Sequence, residues 1–150
     1  MSRALRLLVV NGPNLNLLGS REPSIYGTRT LSHIETELRE AFPEVTTDWV
    51  QSNHEGELVD AVQRAASSGY DGIVLNAAAF THTSIALVDA LAAVDIPVVE
   101  VHISNIHARE DFRDRTLTGR KAVGVITGLG TWGYHLAIRW FLLSRADRTG

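Results

Sequence analysis

The fold of this chain is decided by the stretch LRLLVV-NGPNLNLLGSREPSIYG, which covers residues 5–27. Residues 5–10 are nearly all Leu or Val, which is typical of a buried strand. The connection over residues 11–27 is unusually long for one that follows a strand. Its two prolines and three glycines set the backbone shape, and its arginine, glutamate and tyrosine offer polar groups that packing does not need. Two interpretations are open: a loop that closes over a bound molecule, and a solvated surface excursion.

Length and composition predict one ordinary domain over residues 1–150, with hydrophobic residues at 45% and charged residues at 21%. The net charge of -3 comes without a block of like charge, so neither nucleic acid nor an anionic membrane is the expected partner. The absence of cysteine excludes disulfides, thiol nucleophiles and thiolate metal sites. Because the sequence shows neither a signal peptide nor an apolar run that could span a bilayer, we predict a soluble, cytoplasmic protein.

Beyond residue 27, strand and helix patterns alternate. We predict strands over residues 45–51, 72–75, 98–102 and 122–126, from their apolar and β-branched composition. We predict helices that begin at capping boxes in residues 32–35 and 52–55, a third near residue 85, and a last one over residues 132–144 before a frayed tail at 145–150. Because each crossover must be right-handed and lie on a face of the sheet, this alternation predicts an α/β, three-layer, flavodoxin-like fold. Its five-stranded parallel sheet should have the order 2-1-3-4-5.

The carboxyl ends of the predicted strands carry polar side chains. They are Asn11, residues 52–54, Asn76 and residues 102–104. Since ligands bind at this edge of open parallel sheets, we expect these groups to converge beneath the long loop. Lys121, the one lysine in the sequence, precedes the fifth strand and should lie at the opposite edge. It is therefore badly placed to form an imine with a substrate.

Two histidines and two arginines are candidates for this site. His102 ends an apolar strand where a structural residue would be Val or Ile, so we favour a functional role over that of a satisfied core histidine. His82, taken alone, is better interpreted as a surface residue of a loop that caps the next helix. Arg109 and Arg113 share a face of a predicted helical turn and suit an anionic substrate. A surface ion pair of Arg109 with the acidic residues 110–111 is an equal alternative.

Two further patterns could be taken for a dinucleotide-binding site and a metal site, and we reject both interpretations. Residues 128–133, GLGTWG, fit the dinucleotide-binding fingerprint, but neither the required βαβ unit nor the acidic residue follows them. We interpret this stretch as a tight turn with close packing of a helix on the sheet. A metal site formed by Glu100, His102 and His107 is disfavoured because these residues do not form a spaced ligand motif.

Several long motifs occur in one order: NGPN at 11–14, REP at 21–23 with YG at 26–27, QSNHEG at 51–56, Asn76 with THTS at 81–84, and EVHISNIHARE at 100–110. Together they resemble the type II 3-dehydroquinate dehydratases (type II dehydroquinases) over about residues 7–133, while residues 114–118 fit the family pattern less well. The resemblance implies a flavodoxin-like fold, no cofactor, no metal, and a homo-oligomer that is a dodecamer built from trimers. It implies anti elimination of water from 3-dehydroquinate through an enolate to give 3-dehydroshikimate, in the shikimate pathway or in quinate catabolism.

The same resemblance implies catalytic roles. Tyr26 would be the base that abstracts the proton beside the ketone. The pKa of a tyrosine hydroxyl is ordinarily about 10, so a base at neutral pH needs a nearby cation, and Arg21 on the same loop is the expected source. Asn14 would stabilise the enolate oxygen through a water molecule, and His102 would protonate the departing hydroxyl. Either Glu100 or a backbone carbonyl could orient the ring of His102.

The resemblance also implies six substrate-binding residues: Asn76, His82, Asp89, Ile103, Ser104 and Arg113. The amide, imidazole and guanidinium groups would bind substrate hydroxyls, and the backbone of Ile103 with the hydroxyl of Ser104 would bind the carboxylate. Asp89 would reach the substrate across a subunit interface. Arg109 and Glu22 would make contacts that close the loop.

Two other classes of function are open. The first is a flavodoxin-like binding module without catalysis. A phosphoacceptor receiver would need acidic residues where Asn11 stands, and a flavin binder would need a loop of Ser, Thr and Gly where this chain has prolines and Tyr26. The second is a metal-dependent hydrolase, which a loss of activity in the presence of a chelator would support.

Overall fold

A five-stranded, fully parallel sheet forms the centre of the computed structural model, which describes residues 3–149. Its strands are β1 (Leu5–Asn11), β2 (Val45–Gln51), β3 (Gly72–Asn76), β4 (Val98–His102) and β5 (Gly124–Thr127). The strand order β2-β1-β3-β4-β5 confirms the predicted flavodoxin-like order. Since all strands run the same way, their carboxyl ends lie along one edge of the sheet.

The register of the sheet aligns the polar strand ends. Asn11 of β1 pairs with Gln51 of β2 on one side and with Asn76 of β3 on the other. His102 of β4 lies opposite Thr127 of β5. The predicted convergence of polar groups at the carboxyl edge is therefore built into the strand pairing.

Helices cover both faces of the sheet. They are α1 (Pro23–Tyr26), α2 (Leu31–Ala41), α3 (Glu55–Ser67), α4 (Ile85–Ala93) and α5 (Trp132–Thr149). The buried side chains of α2 and α5 form one hydrophobic core, and those of α3 and α4 form the other. β1 contributes to both, because successive side chains of a strand point to opposite faces: Leu7 and Val9 lie in the first core, and Leu8 and Val10 in the second.

The starts of two helices differ from the prediction. α2 is capped by Thr30, whose hydroxyl accepts from the backbone N–H of His33 at 3.2 Å, so the capping box predicted at residues 32–35 is wrong. The first turn begins earlier because Leu31 packs against the core. Among the described residues, no side chain caps α3; the Ser52 hydroxyl instead accepts from the backbone N–H of His54, at 2.9 Å.

The last strand and the last helix differ as well. β5 begins at Gly124 rather than at residue 122, because the backbone N–H of Ala122 closes the preceding turn on Gly119. α5 continues to Thr149, so the frayed tail predicted from residue 145 is wrong; Gly150 lies outside the described residues. No glycine or proline interrupts residues 145–149, which leaves the helix free to propagate.

Lys121 is exposed in the turn that leads into β5. Since β5 begins opposite Val99, near the start of β4, this lysine lies at the amino edge of the sheet, as predicted. Within residues 3–149, none of the helices combines the length and the apolar composition that crossing a membrane requires.

Candidate active site

A cavity of about 100 Å³ lies at the carboxyl edge of the sheet, beneath the loop that follows β1. Most of the predicted site residues line it: Asn14, Arg21, Tyr26, Asn76, His82, His102, Ile103, Ser104 and Arg113. Arg109 lines it as well, whereas Asp89 is exposed on α4 and does not. The structure thus brings the predicted residues together in one place, with Asp89 outside it.

The first part of the loop is held against the strand ends by backbone contacts. The N–H of Gly12 donates to the carbonyl of Asn76 at 2.7 Å, and the N–H of Asn14 donates to the side-chain oxygen of Asn53 at 2.9 Å. A Cβ on Gly12 would lie 2.3 Å from the carbonyl oxygen of Ala77, so only glycine fits this approach. Asn14 has a φ of 67°, the left-handed region in which Asn is favoured among non-glycine residues.

The second part of the loop forms the short helix α1. Pro23 occupies its first turn, where the missing N–H costs nothing, and Gly27, at a φ of 81°, ends it. Glu22 precedes α1 and lies 3.6 Å from the Arg21 guanidinium. This geometry turns the ring of Tyr26, the last residue of α1, toward the cavity.

Two guanidinium groups lie beside the ring of Tyr26. Nη1 of Arg109 donates to the tyrosine hydroxyl at 2.8 Å and also to the Ser104 hydroxyl at 3.2 Å. The Cζ atoms of Arg109 and Arg21 lie 5.5 and 5.8 Å from the ring centroid. The prediction named Arg21 as the cation, but Arg109 makes the direct contact with the hydroxyl. The surface ion pair with an acidic neighbour, which was the alternative role for Arg109, is made by Arg113 instead. Nε of Arg113 lies 2.6 Å from Oε2 of Glu110.

His102 is nearly fully buried and is paired with a fully buried carboxylate. Its Nε2 lies 2.9 Å from Oε2 of Glu100, so the carboxylate holds this nitrogen. The two residues share a face of β4 because side chains two apart in a strand point the same way. Burial would raise the pKa of Glu100, but the hydrogen bond and the charge of His102, together with hydrogen bonds from Thr116 and Thr118, outweigh burial and lower it. Nδ1 is the ring nitrogen that remains for the cavity.

His82 lies in the turn Ala78–His82, half-buried at the cavity, and its ring stacks on that of His102 at 6.5 Å between centroids. Its Nδ1 lies 2.6 Å from the carbonyl oxygen of Arg115 and must be the donor, since a carbonyl only accepts. Burial lowers the pKa of His82 in spite of this hydrogen bond, so the ring presents a neutral Nε2 acceptor. The surface interpretation of His82 therefore gives the wrong placement, and it is Ser84 that caps α4.

Asn76 is oriented by a residue that the sequence analysis missed. The hydroxyl of Tyr134, at the start of α5, accepts from Nδ2 of Asn76 at 2.9 Å and donates to Oδ1 of Asn11 at 2.7 Å. Tyr134 is fully buried, which raises the pKa of its hydroxyl. The sequence does contain an indication of this role, because a tyrosine on the core-facing side of a helix needs a hydrogen-bond partner for its hydroxyl.

The glycine-rich stretch after β5 is a turn, as predicted. Gly128 and Gly130 have φ values of 86° and 63°. A Cβ on Gly133 would lie 2.8 Å from Cγ1 of Val101, which confirms the predicted close packing of helix on sheet. Among the described residues, no group of three or more His, Cys, Asp or Glu side chains is arranged to hold a metal ion.

Comparison with known proteins agrees with this architecture. Residues 5–142 match the family model described as Dehydroquinase class II. The chain is 50% identical over 149 residues to the 3-dehydroquinate dehydratase of Chlorobaculum tepidum, which covers 99% of this chain and 100% of that protein. It is 54% identical over 139 residues to the catabolic 3-dehydroquinase of Botryotinia fuckeliana, with 90% of each chain covered.

A solved structure extends the likeness to three dimensions. The type II dehydroquinase of Butyrivibrio crossotus superposes with a TM-score of 0.89 at 43% identity, over 92% of this chain and 97% of that one. Sequence and backbone thus agree along nearly the whole length of the chain, and most of the cavity residues belong to the motifs that first suggested the likeness. The chain belongs to the class II dehydroquinase family.

Proposed function

We propose that this chain is a 3-dehydroquinate dehydratase, a carbon–oxygen lyase that forms 3-dehydroshikimate by anti elimination of water through an enolate. The observation that carries the proposal is the presence, in one cavity, of a tyrosine hydroxyl beside two cations and an imidazole backed by a carboxylate. An elimination of water needs a base for the carbon-bound proton and an acid for the departing hydroxyl, and these two groups supply them. The names carried by the relatives support this choice of substrate.

Tyr26 is the proposed base. Its oxygen takes the proton from the carbon beside the ketone, and the electron pair of that C–H bond moves into the enolate. The hydrogen bond from Arg109 and the nearby charge of Arg21 stabilise a phenolate at this position. Asn14, which lines the cavity, stabilises the enolate oxygen through a water molecule.

His102 is the proposed acid. As the enolate collapses, the C–O bond breaks, and the hydroxyl leaves as water with a proton from the imidazolium. Glu100 stabilises the charged ring through the contact of Oε2 with Nε2, so the proton on Nδ1 is the one that is delivered. The proton on Tyr26 then returns to solvent or to the acid, and the cycle is complete.

The remaining cavity residues are proposed to bind the substrate. Asn76, His82 and Arg113 bind its hydroxyls, and Ile103 with Ser104 binds its carboxylate. Asp89, exposed on α4, enters the site of a neighbouring subunit in this proposal.

The proposal includes a dodecamer built from trimers, in the cytoplasm, with residues 1–150 as one flavodoxin-like catalytic domain. Exposed apolar side chains support assembly, because Trp132, Leu136 and Leu143 follow one another along α5 with exposures of 62%, 44% and 58%. Light scattering on the purified protein tests the assembly, with an expected mass twelve times that of one chain.

The reaction is tested by an ultraviolet assay with purified protein and 3-dehydroquinate, because the product is a conjugated enone and the substrate is not. One sample contains excess chelator, and another contains protein that was treated with substrate and borohydride and then freed of both. An equal rise of absorbance in all samples supports the dehydratase without metal or imine. A loss only after borohydride would assign an imine to Lys121, and no rise in any sample would favour the binding module.

A further inference from the structure

Glu100 has more partners than the histidine it holds. The hydroxyl of Thr116 donates to Oε2 at 2.6 Å, and the hydroxyl of Thr118 donates to Oε1. The hydroxyl of Thr81 lies 3.1 Å from Oε1. We call Thr81, Thr116 and Thr118 the threonine cluster. None of the three lines the cavity, and their hydroxyls reach the site through Glu100.

The protons in this cluster can be assigned by counting. Each hydroxyl has one hydrogen, and those of Thr116 and Thr118 point to the carboxylate. The hydroxyl oxygen of Thr81 lies 2.8 Å from that of Thr116, so the hydrogen of Thr81 can be donated to the Thr116 oxygen. Glu100 then accepts from hydroxyls on both oxygens and from Nε2 of His102, and it needs no hydrogen of its own. A buried carboxylate without such donors would instead take up a proton, because charge is costly away from water.

The cluster also joins three segments that carry cavity residues. Glu100 and His102 lie on β4, Thr81 precedes His82 in the turn after β3, and Thr116 and Thr118 follow Arg113. The backbone between these segments is linked at the same place, since the N–H of residue 117 donates to the carbonyl of Thr81 at 2.8 Å. The carboxylate is therefore fixed in direction as well as in charge.

We propose that the threonine cluster is a positioning device that keeps Glu100 ionised and directed at Nε2 of His102. Nε2 then always carries a hydrogen, and Nδ1 is the nitrogen that exchanges a proton in the cavity. The threonines are positioning residues, because they touch neither the substrate nor the reacting atoms. The expected effect on kcat rests on the proposed function, whereas the expected position of the hydrogen on the His102 ring does not.

The test uses Thr118, whose hydroxyl makes hydrogen bonds, within residues 3–149, only to the other two threonines of the cluster and to Glu100. Thr118→Val removes the hydroxyl at nearly constant volume, and Thr118→Ser keeps it. Thr47→Val is the matched control, because Thr47 is a buried threonine in β2, outside the cluster. The readouts are kcat and KM, the melting temperature, and ¹⁵N NMR of the imidazoles, which reports the nitrogen that carries hydrogen.

We expect Thr118→Val to lower kcat by about tenfold, below the roughly 100- to 10,000-fold that a general acid supplies, with KM changed by less than about twofold. In the ¹⁵N NMR spectrum of this variant, the signal of the Nε2–H form of His102 should be weaker than in the wild type. Thr118→Ser should retain both properties, and Thr47→Val should change neither. If Thr118→Val does not fold, Thr81→Val is the substitute, because the Thr81 hydroxyl lies farther from the carboxylate, at 3.1 Å from Oε1. This variant should lower kcat and the Nε2–H signal of His102 in the same direction, but by less.

Unchanged kcat and unchanged His102 signals in a folded Thr118→Val protein would overturn the proposal. So would an equal loss in Thr118→Ser, which would assign the effect to the lost methyl group, or an effect on KM alone. A wild-type protein without turnover would refute the proposed function instead, and the NMR comparison would then decide on the threonine cluster by itself.

Discussion

Replacing Glu100 by glutamine tests the ionised carboxylate beneath the acid. The glutamine amide keeps one acceptor oxygen, which we expect to face Nε2 of His102, and places its NH₂ group toward Thr118, whose hydroxyl can accept. Hydrogen bonds to a charged group contribute about 1.5–3 kcal/mol each, and those between neutral groups about 0.5–1.5 kcal/mol. Since the substitution neutralises the acceptor of all the donors and also removes a desolvation cost, we expect a net loss of about 2 kcal/mol in the free energy of unfolding at pH 7.

The stability that the Glu100 carboxylate contributes depends on pH, and the direction follows from its pKa. The folded protein lowers the pKa of Glu100 below the ordinary value of about 4.3, so the carboxylate adds stability that is complete above that pH. This stability is lost as the pH falls through the folded pKa. The difference in unfolding free energy between the wild type and Glu100→Gln should therefore shrink as the pH falls below about 4.

Urea unfolding at several pH values measures this difference, and turnover is measured on the same samples. The loss of one charge-assisted contact to the imidazolium, about 1.5–3 kcal/mol, corresponds to a fall in kcat of about 10- to 150-fold. Glu35→Gln is the control, since Glu35 forms an ion pair with Arg39 on the surface of α2 and should change stability by less than about 1 kcal/mol. A stability difference that stays the same from pH 7 to pH 3 would show that Glu100 is not ionised in the folded protein.

Three further variants test other parts of the site. Tyr26→Phe should lower kcat by about 100-fold or more while ligand affinity, measured by calorimetry, stays within a few-fold, because only the base is deleted; near-normal turnover would disprove the assignment. His102→Ala should weaken both turnover and ligand binding, and an effect on turnover alone would argue against its contact with the substrate. Tyr134→Phe leaves the Asn11 and Asn76 side chains without a shared partner and should destabilise the protein by about 1–3 kcal/mol in urea unfolding, with a raised KM; an unchanged KM would mean that Tyr134 does not orient Asn76.

Much of the fold was predictable because its signals are local. Apolar runs such as residues 5–10 and 72–75 mark buried strands, and alternation with helical segments leads to a parallel sheet with helices on both faces. The position of Lys121 at the amino edge followed from the same alternation, without any knowledge of contacts. The errors lie at element ends, where a cap such as Thr30 competes with its neighbours and packing of Leu31 decides between them.

The residue types of the site were also written in the sequence, because the carboxyl ends of parallel strands must meet at one edge. What only the tertiary structure decided is which of these groups touch. Tyr134 meets Asn11 across 123 positions, and Arg109 meets Tyr26 across 83. Such contacts depend on the packing of α5 on the sheet and on the path of the loop, and no local pattern encodes either one.

The environment of Glu100 shows the same division. The spacing of Glu100 and His102 on one strand places both side chains on one face, which the sequence alone determines. That the carboxylate is fully buried and surrounded by hydroxyls from two other segments is set by the folded chain. A buried charge is tolerated only where donors from distant residues converge on it, so its ionisation, and with it the state of His102, is a property of the tertiary structure.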